Sequence, residues 1–199
     1  MRPAFATLWN LDLALAEVVS TTSEPALGAI RLAWWRERLE EFDQGAAPPA
    51  EPRLSAIRRQ LLGRGITGHE LSRLEDAWLP LLNPFPWGSE QAEGLELRGQ
   101  VLFGLGARLL GEAAESAAEA GALWSLVDGA DHCSDPAARD MLRKRAAAVL
   151  PLVRQPMPGR LRVLTVLAAL AAADLVREGS GLKRLSAAAR HRLWGSFPR

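Results

Sequence analysis

The chain has no tyrosine, one cysteine and three histidines among its 199 residues. A single thiol, Cys133, excludes an internal disulfide and a thiolate metal cluster, a usage that suits a reducing cytoplasm. His69, His132 and His191 lie far apart in the sequence, so no zinc-type pair is present. An excess of one charge is missing as well. With 24 Lys and Arg against 23 Asp and Glu, no general electrostatic argument for a nucleic-acid partner exists. The longest uncharged apolar run, 163–173, is too short to span a bilayer and is bracketed by Arg162 and Asp174, so no transmembrane segment is expected. Asp12 and Glu17 interrupt the N-terminal apolar stretch, which argues against a secretory signal.

What is present favours helix. Hydrophobic residues make up 48% of the chain, Ala and Leu dominate them, and β-branched residues are sparse. The expectation is an all-α, single-domain helical bundle over residues 1–199, with about seven to nine helices.

The most informative stretch is 23–42. Ser23, Glu24 and Pro25 predict a helix start, with a side-chain oxygen for orphan N–H groups, an acid at the positive end and proline in the first turn. Leu27, Ile30 and Trp34 form one apolar stripe, and Leu32, Trp35, Leu39 and Phe42 a second. The pattern predicts a central helix buried on two sides, with the adjacent Trp34 and Trp35 entering different interfaces. Arg31 and Arg38, seven residues apart, share a third and polar face.

Elsewhere, periodicity and punctuation place helices at about 3–19, 54–62, 67–82 with a kink at Pro80, 89–110, 116–132, 136–153, 160–177 and 186–194. Thr67 with Glu70, and Ser116 with Glu119, read as capping boxes. Residues 43–52 read as a loop. Gly94, Gly99, Gly104 and Gly106 interrupt good helix formers, which points either to close helix approach or to room for a ligand beside the backbone. The C-terminal segment is basic, with Arg177, Lys183, Arg184, Arg190, Arg192 and Arg199 against Glu178 alone. Leu182, Leu185, Leu193 and Trp194 accompany them, which gives a candidate for peripheral contact with an anionic membrane.

The string Glu24-Pro25, Leu27-Gly28, then Ile30-Arg31-Leu32-x-Trp34-Trp35-Arg36-x-x-Leu39 resembles a signature of the squalene/phytoene synthase family, all-helical enzymes that join two prenyl diphosphates head to head. The resemblance implies a bundle of the isoprenoid synthase type and diphosphates held through Mg²⁺ by aspartates one helical turn apart. Asp131 and Asp135 have that spacing, and Asp128 lies three residues earlier, so these three are the candidate metal ligands; Arg31 and Arg38 are the candidate diphosphate ligands. Asp135 before Pro136 also reads as an N-cap, and both readings stand at this point.

Departures from the family pattern point away from turnover. In the second aspartate-rich region Ser125, Asp128, Asp131 and His132 stand where the family has glutamine, asparagine, arginine and the first aspartate, and the tyrosine that trails that motif has no counterpart. Asp12 and Glu17, five apart, fall on different helix faces and cannot chelate one ion together. The N-terminal stretch is similar instead to relatives in which the motif has decayed, among them a mitochondrial assembly factor for respiratory complex I. The chain is also shorter than the family's active members. The resemblance therefore implies a cytoplasmic or membrane-associated scaffold or assembly factor that binds a protein partner or a prenyl lipid. The alternative is an active Mg²⁺-dependent prenyltransferase.

Overall fold

The computed structural model describes residues 1–176 and 181–198, and these are all-helical, with nine α-helices and no strand among them. They form two compact units, 1–84 and 85–199.

The first unit holds α1 (Arg2–Thr21), α2 (Pro25–Glu40), α3 (Pro52–Gln60) and α4 (Gly68–Trp78). Leu8, Leu11, Leu15 and Val18 give α1 the buried stripe its spacing predicts, and it packs against the other three helices. Thr67 and Glu70 close the expected capping box on α4. Asp43, placed by the sequence in a loop, reinforces that end by accepting from the backbone N–H groups of Gly68 at 2.7 Å and His69 at 2.8 Å. A carboxylate at the positive end of a helix satisfies orphan donors and complements the dipole. Pro80 does not kink α4: the α-helix ends at Trp78 and a 3₁₀ turn, Leu79–Leu82, follows.

Two carboxyl groups are built into this unit's core. Asp12, 1% exposed, accepts from Trp78 Nε1 at 2.9 Å and so joins α1 to α4. Glu75 is also buried, and its Oε2 lies 3.6 Å from Arg36 Nη1. Burial pushes the Glu75 carboxyl above its ordinary value, while the Arg36 charge pulls it back down.

The start and the burial of α2 both differ from expectation. Glu24, not Ser23, is the N-cap residue, no side chain caps this end, and Pro25 occupies the first turn. Only one stripe is buried: Gly28, Leu32, Trp35 and Leu39 face the unit's interior. Leu27, Ile30 and Trp34 are 50%, 67% and 39% exposed. The two tryptophans do diverge, meeting edge to face with centroids 5.3 Å apart, but only Trp35 enters the core. Periodicity identifies a stripe; it does not supply a neighbour to cover it.

The second unit contains α5 (Ser89–Leu109), α6 (Ala118–His132), α7 (Pro136–Val149), α8 (Arg162–Val176) and α9 (Gly181–Trp194). Its hub is α6, which packs against α5, α7 and α8. The Ser116–Glu119 capping box does not form: Ala117 is the N-cap residue after a 3₁₀ turn, Ala114–Ala117, and no side chain caps it. Of the glycines of α5, Gly99 serves close approach. A Cβ on Gly99 would collide with the Gly121 carbonyl of α6, and one on Gly121 with the Gly99 carbonyl. The two backbones therefore touch, which leaves no room for a ligand there.

Helix α8 begins two residues later than expected, and its expected last residue, Arg177, lies outside the described residues, as does Arg199. Helix α9 is longer than expected, starting at Gly181. It is seated by His191, which is fully buried. Ser196 O can only accept, so His191 Nδ1, 3.2 Å away, carries the proton and donates to it. Nε2 then accepts from the Thr165 hydroxyl of α8 at 2.8 Å. Phe197 packs on the ring at 4.7 Å, and burial holds this imidazole below its ordinary value of 6.5.

Two predictions follow from these packing constraints. Gly99→Ala should lower stability by at least about 2 kcal/mol, because neither backbone can withdraw alone. Gly159→Ala, with open space around it, should stay within about 0.5 kcal/mol in urea unfolding. The second concerns pH. Because the folded His191 takes a proton less readily than the unfolded chain does, its share of stability is intact above 6.5 and falls as pH drops through that value. Thermal midpoints measured between about pH 5 and 7 should decline on acidification in the wild type, and more shallowly in His191→Gln.

Candidate functional site

Besides the His191–Thr165 pair, the second unit holds a cluster of polar side chains where α5 meets α6. Arg98 precedes the contact glycine Gly99, and Ser125 and Asp128 follow Gly121 by one and two helical turns, so all of them face the same seam. Arg98, 6% exposed, donates from Nη1 to Asp128 Oδ2 at 2.7 Å and to Ser125 Oγ at 3.4 Å. Its guanidinium also lies 4.7 Å from the centre of the Trp124 ring, which stacks at 5.5 Å on Phe103. A buried guanidinium needs a carboxylate and further acceptors, and the cluster supplies them.

Sequence reasoning had singled out Ser125 and Asp128 and missed Arg98. The available signal was its position, a cation on the face of α5 that also carries the buried Leu95, Leu102 and Leu105. A charge at such a register requires a buried partner on a neighbouring helix.

The three candidate metal ligands are not brought together. Asp128 pairs with Arg98, and its backbone carbonyl lies 2.8 Å from Nδ1 of the exposed His132. Asp131 points to Arg143 of α7 at 3.3 Å. Asp135 accepts from the Ala138 N–H at 2.7 Å as the N-cap of α7. The physical reason is the chain's path: α6 ends at His132, and Cys133 and Asp135 are both extended, with ψ of 126° and 120°. A spacing of four residues superimposes two side chains only on a continuous helix. Among the described residues no group of three or more His, Cys, Asp or Glu is arranged to hold a metal ion.

The α2 arginines are also engaged, each within the first unit. Arg31 Nη1 donates to Thr22 Oγ1 at 2.7 Å and lies 3.4 Å from Thr21 Oγ1, tying the end of α1 to α2. Arg38 pairs with Glu41 at 2.6 Å, with Glu37 at 3.7 Å. Arg31 is exposed and Arg38 half-buried; they do not form a separate polar face, because each follows Leu27 or Trp34 by four residues and so lies on the side of α2 that carries that exposed stripe.

The chain matches no protein-family profile, no characterised protein and no solved structure. Its own side chains therefore carry the functional argument. Among the described residues, no helix is long and apolar enough to cross a membrane. Arg98 and Asp128 pair their charges where α5 meets α6, Asp131 pairs with Arg143 of α7, and Asp135 caps α7.

The two readings of Asp135 separate cleanly by experiment. As a cap, Asp135→Ala should cost about 1 kcal/mol of stability, with most of that recovered in Asp135→Ser. Asp131→Ala, which removes only an exposed pair, should stay within about 0.5 kcal/mol. Chemical unfolding without added metal checks both values.

Proposed function

We propose that this chain is a squalene/phytoene synthase-like helical protein that binds a helix of a partner protein and does not join prenyl diphosphates. The observation that carries this reading is the uncovered stripe of Leu27, Ile30 and Trp34 on α2. These residues are spaced by three and then four, the repeat at which one helix offers a seam to another. Ala26 and Ala33 beside them are small enough to let a second backbone approach. Large apolar side chains grouped on one exposed helix face mark interaction surfaces more strongly than the same residues scattered singly.

Two further features support binding over catalysis. Asp128, Asp131 and Asp135 are committed to an arginine, a second arginine and a helix cap. The contact of Gly99 on α5 with Gly121 on α6, where small residues could have left room for a ligand, is closed backbone to backbone. A protein partner therefore fits these observations better than a prenyl lipid does.

The test has two arms. Purified protein with Mg²⁺ and farnesyl or geranylgeranyl diphosphate should release no diphosphate above background; multiple turnover would overturn the reading. A photo-crosslinking residue at Ile30, introduced in cells, should give one discrete adduct with a different polypeptide, lost when Leu27→Glu is added. No adduct, or one of twice the chain's mass, would sink the proposed partner.

A further inference from the structure

The outer face of α9 is a second uncovered surface, and its chemistry differs from that of α2. Ala187 and His191 are 1% and 0% exposed and fix which side of the helix faces α8. Arg162 strengthens the attachment by donating from Nη1 to the carbonyls of Arg192 at 3.3 Å and Leu193 at 2.6 Å. Gly195, with φ of 69°, turns the chain so that its carbonyl accepts from the Met157 N–H at 2.9 Å. With the inner face fixed, the opposite side is determined by helical geometry alone.

That side carries Leu185, Ala189 and Leu193, one helical turn apart each time. Leu185 is 69% exposed and Leu193 62%. Cations flank the stripe on both sides: Arg192 on one, Lys183 and Arg190 on the other, all exposed. No acidic residue occurs in α9. Lys183, Ser186 and Arg190 also line a cleft of about 330 Å³ whose further walls include Phe197 and Pro198, so the cationic flank has depth as well as charge.

We propose that this face of α9 rests on an anionic phospholipid surface, with Leu185 and Leu193 at the acyl boundary and Lys183, Arg190 and Arg192 among the headgroups. An apolar stripe between two cationic margins matches a bilayer surface in cross-section, where hydrocarbon lies beneath a layer of phosphates. A second copy of the same helix would bring its cations against these. A nucleic acid would leave the central leucines without an apolar partner. The inference is independent of the partner proposed for α2.

Co-sedimentation of the full chain with phosphatidylcholine vesicles, with and without phosphatidylserine, tests it. Binding should require phosphatidylserine and fall as salt is raised. Each cation near an anionic surface strengthens binding about fivefold, so Lys183→Gln/Arg190→Gln/Arg192→Gln should weaken it on the order of a hundredfold. Leu185→Asn/Leu193→Asn should weaken it at least about tenfold, and both variants should keep the wild-type circular dichroism and thermal midpoint, since the changed side chains are exposed. Absence of binding overturns the proposal, as does equal binding to neutral vesicles. So does binding that both variants retain, or a stripe that drives only self-association by light scattering.

Discussion

The contact of Gly99 with Gly121 is the constraint on which the second unit depends. Two helices whose backbones touch cannot slide or rotate past one another without a clash, so the register of α5 on α6 is fixed at one point. That point sets what its neighbours can do. Arg98 is carried into the seam one residue before it, and Ser125 and Asp128 meet it from the other side. The buried guanidinium then meets its carboxylate in a geometry that the glycines impose, which adds specificity: a shifted register would leave Arg98 without Asp128. With α6 held in this way, its remaining faces are free to receive α7 and α8, and the unit is built outward from it.

Much of this organisation was legible in the sequence, and what was not has identifiable causes. The stripes of α1 and α4, the capping box at Thr67 and the cap at Asp135 follow from spacing and local hydrogen-bond chemistry, which depend on a few adjacent residues. The burial of α2 depends on something no local pattern contains, namely whether a neighbour exists. Leu27, Ile30 and Trp34 have the spacing of a core stripe and are exposed; Leu32, Trp35 and Leu39 have the same spacing and are buried. Ser116 and Glu119 satisfy the capping-box pattern, yet a 3₁₀ turn over Ala114–Ala117 moves the helix start beyond their reach.

The aspartates show why spacing is a conditional argument. Asp131 and Asp135 are one turn apart only if a helix runs through both, and Pro136 works against that by favouring an extended residue before it. Once the helix breaks at Cys133, Asp135 belongs to α7 and its oxygen meets an N–H that would otherwise be unsatisfied. The same residue cannot cap one helix and chelate from another. Arg98 illustrates the converse: it belongs to no recognisable motif, yet the apolar register around it required a carboxylate from a neighbouring helix, and Asp128 is that carboxylate.

The seating of α9 extends this logic to the surface. His191 is costly to bury because its ring carries two nitrogens that each need a partner, and Thr165 and Ser196 provide them at a single rotational setting of the helix. A purely apolar inner face would tolerate some rotation; a histidine with two fixed partners tolerates little. The outer face is therefore as well defined as the inner one, and the leucines between cations are held in a fixed array on a short helix with no acid to offset them. A surface fixed in position by buried hydrogen bonds meets its target without first ordering itself, which lowers the entropic cost of association.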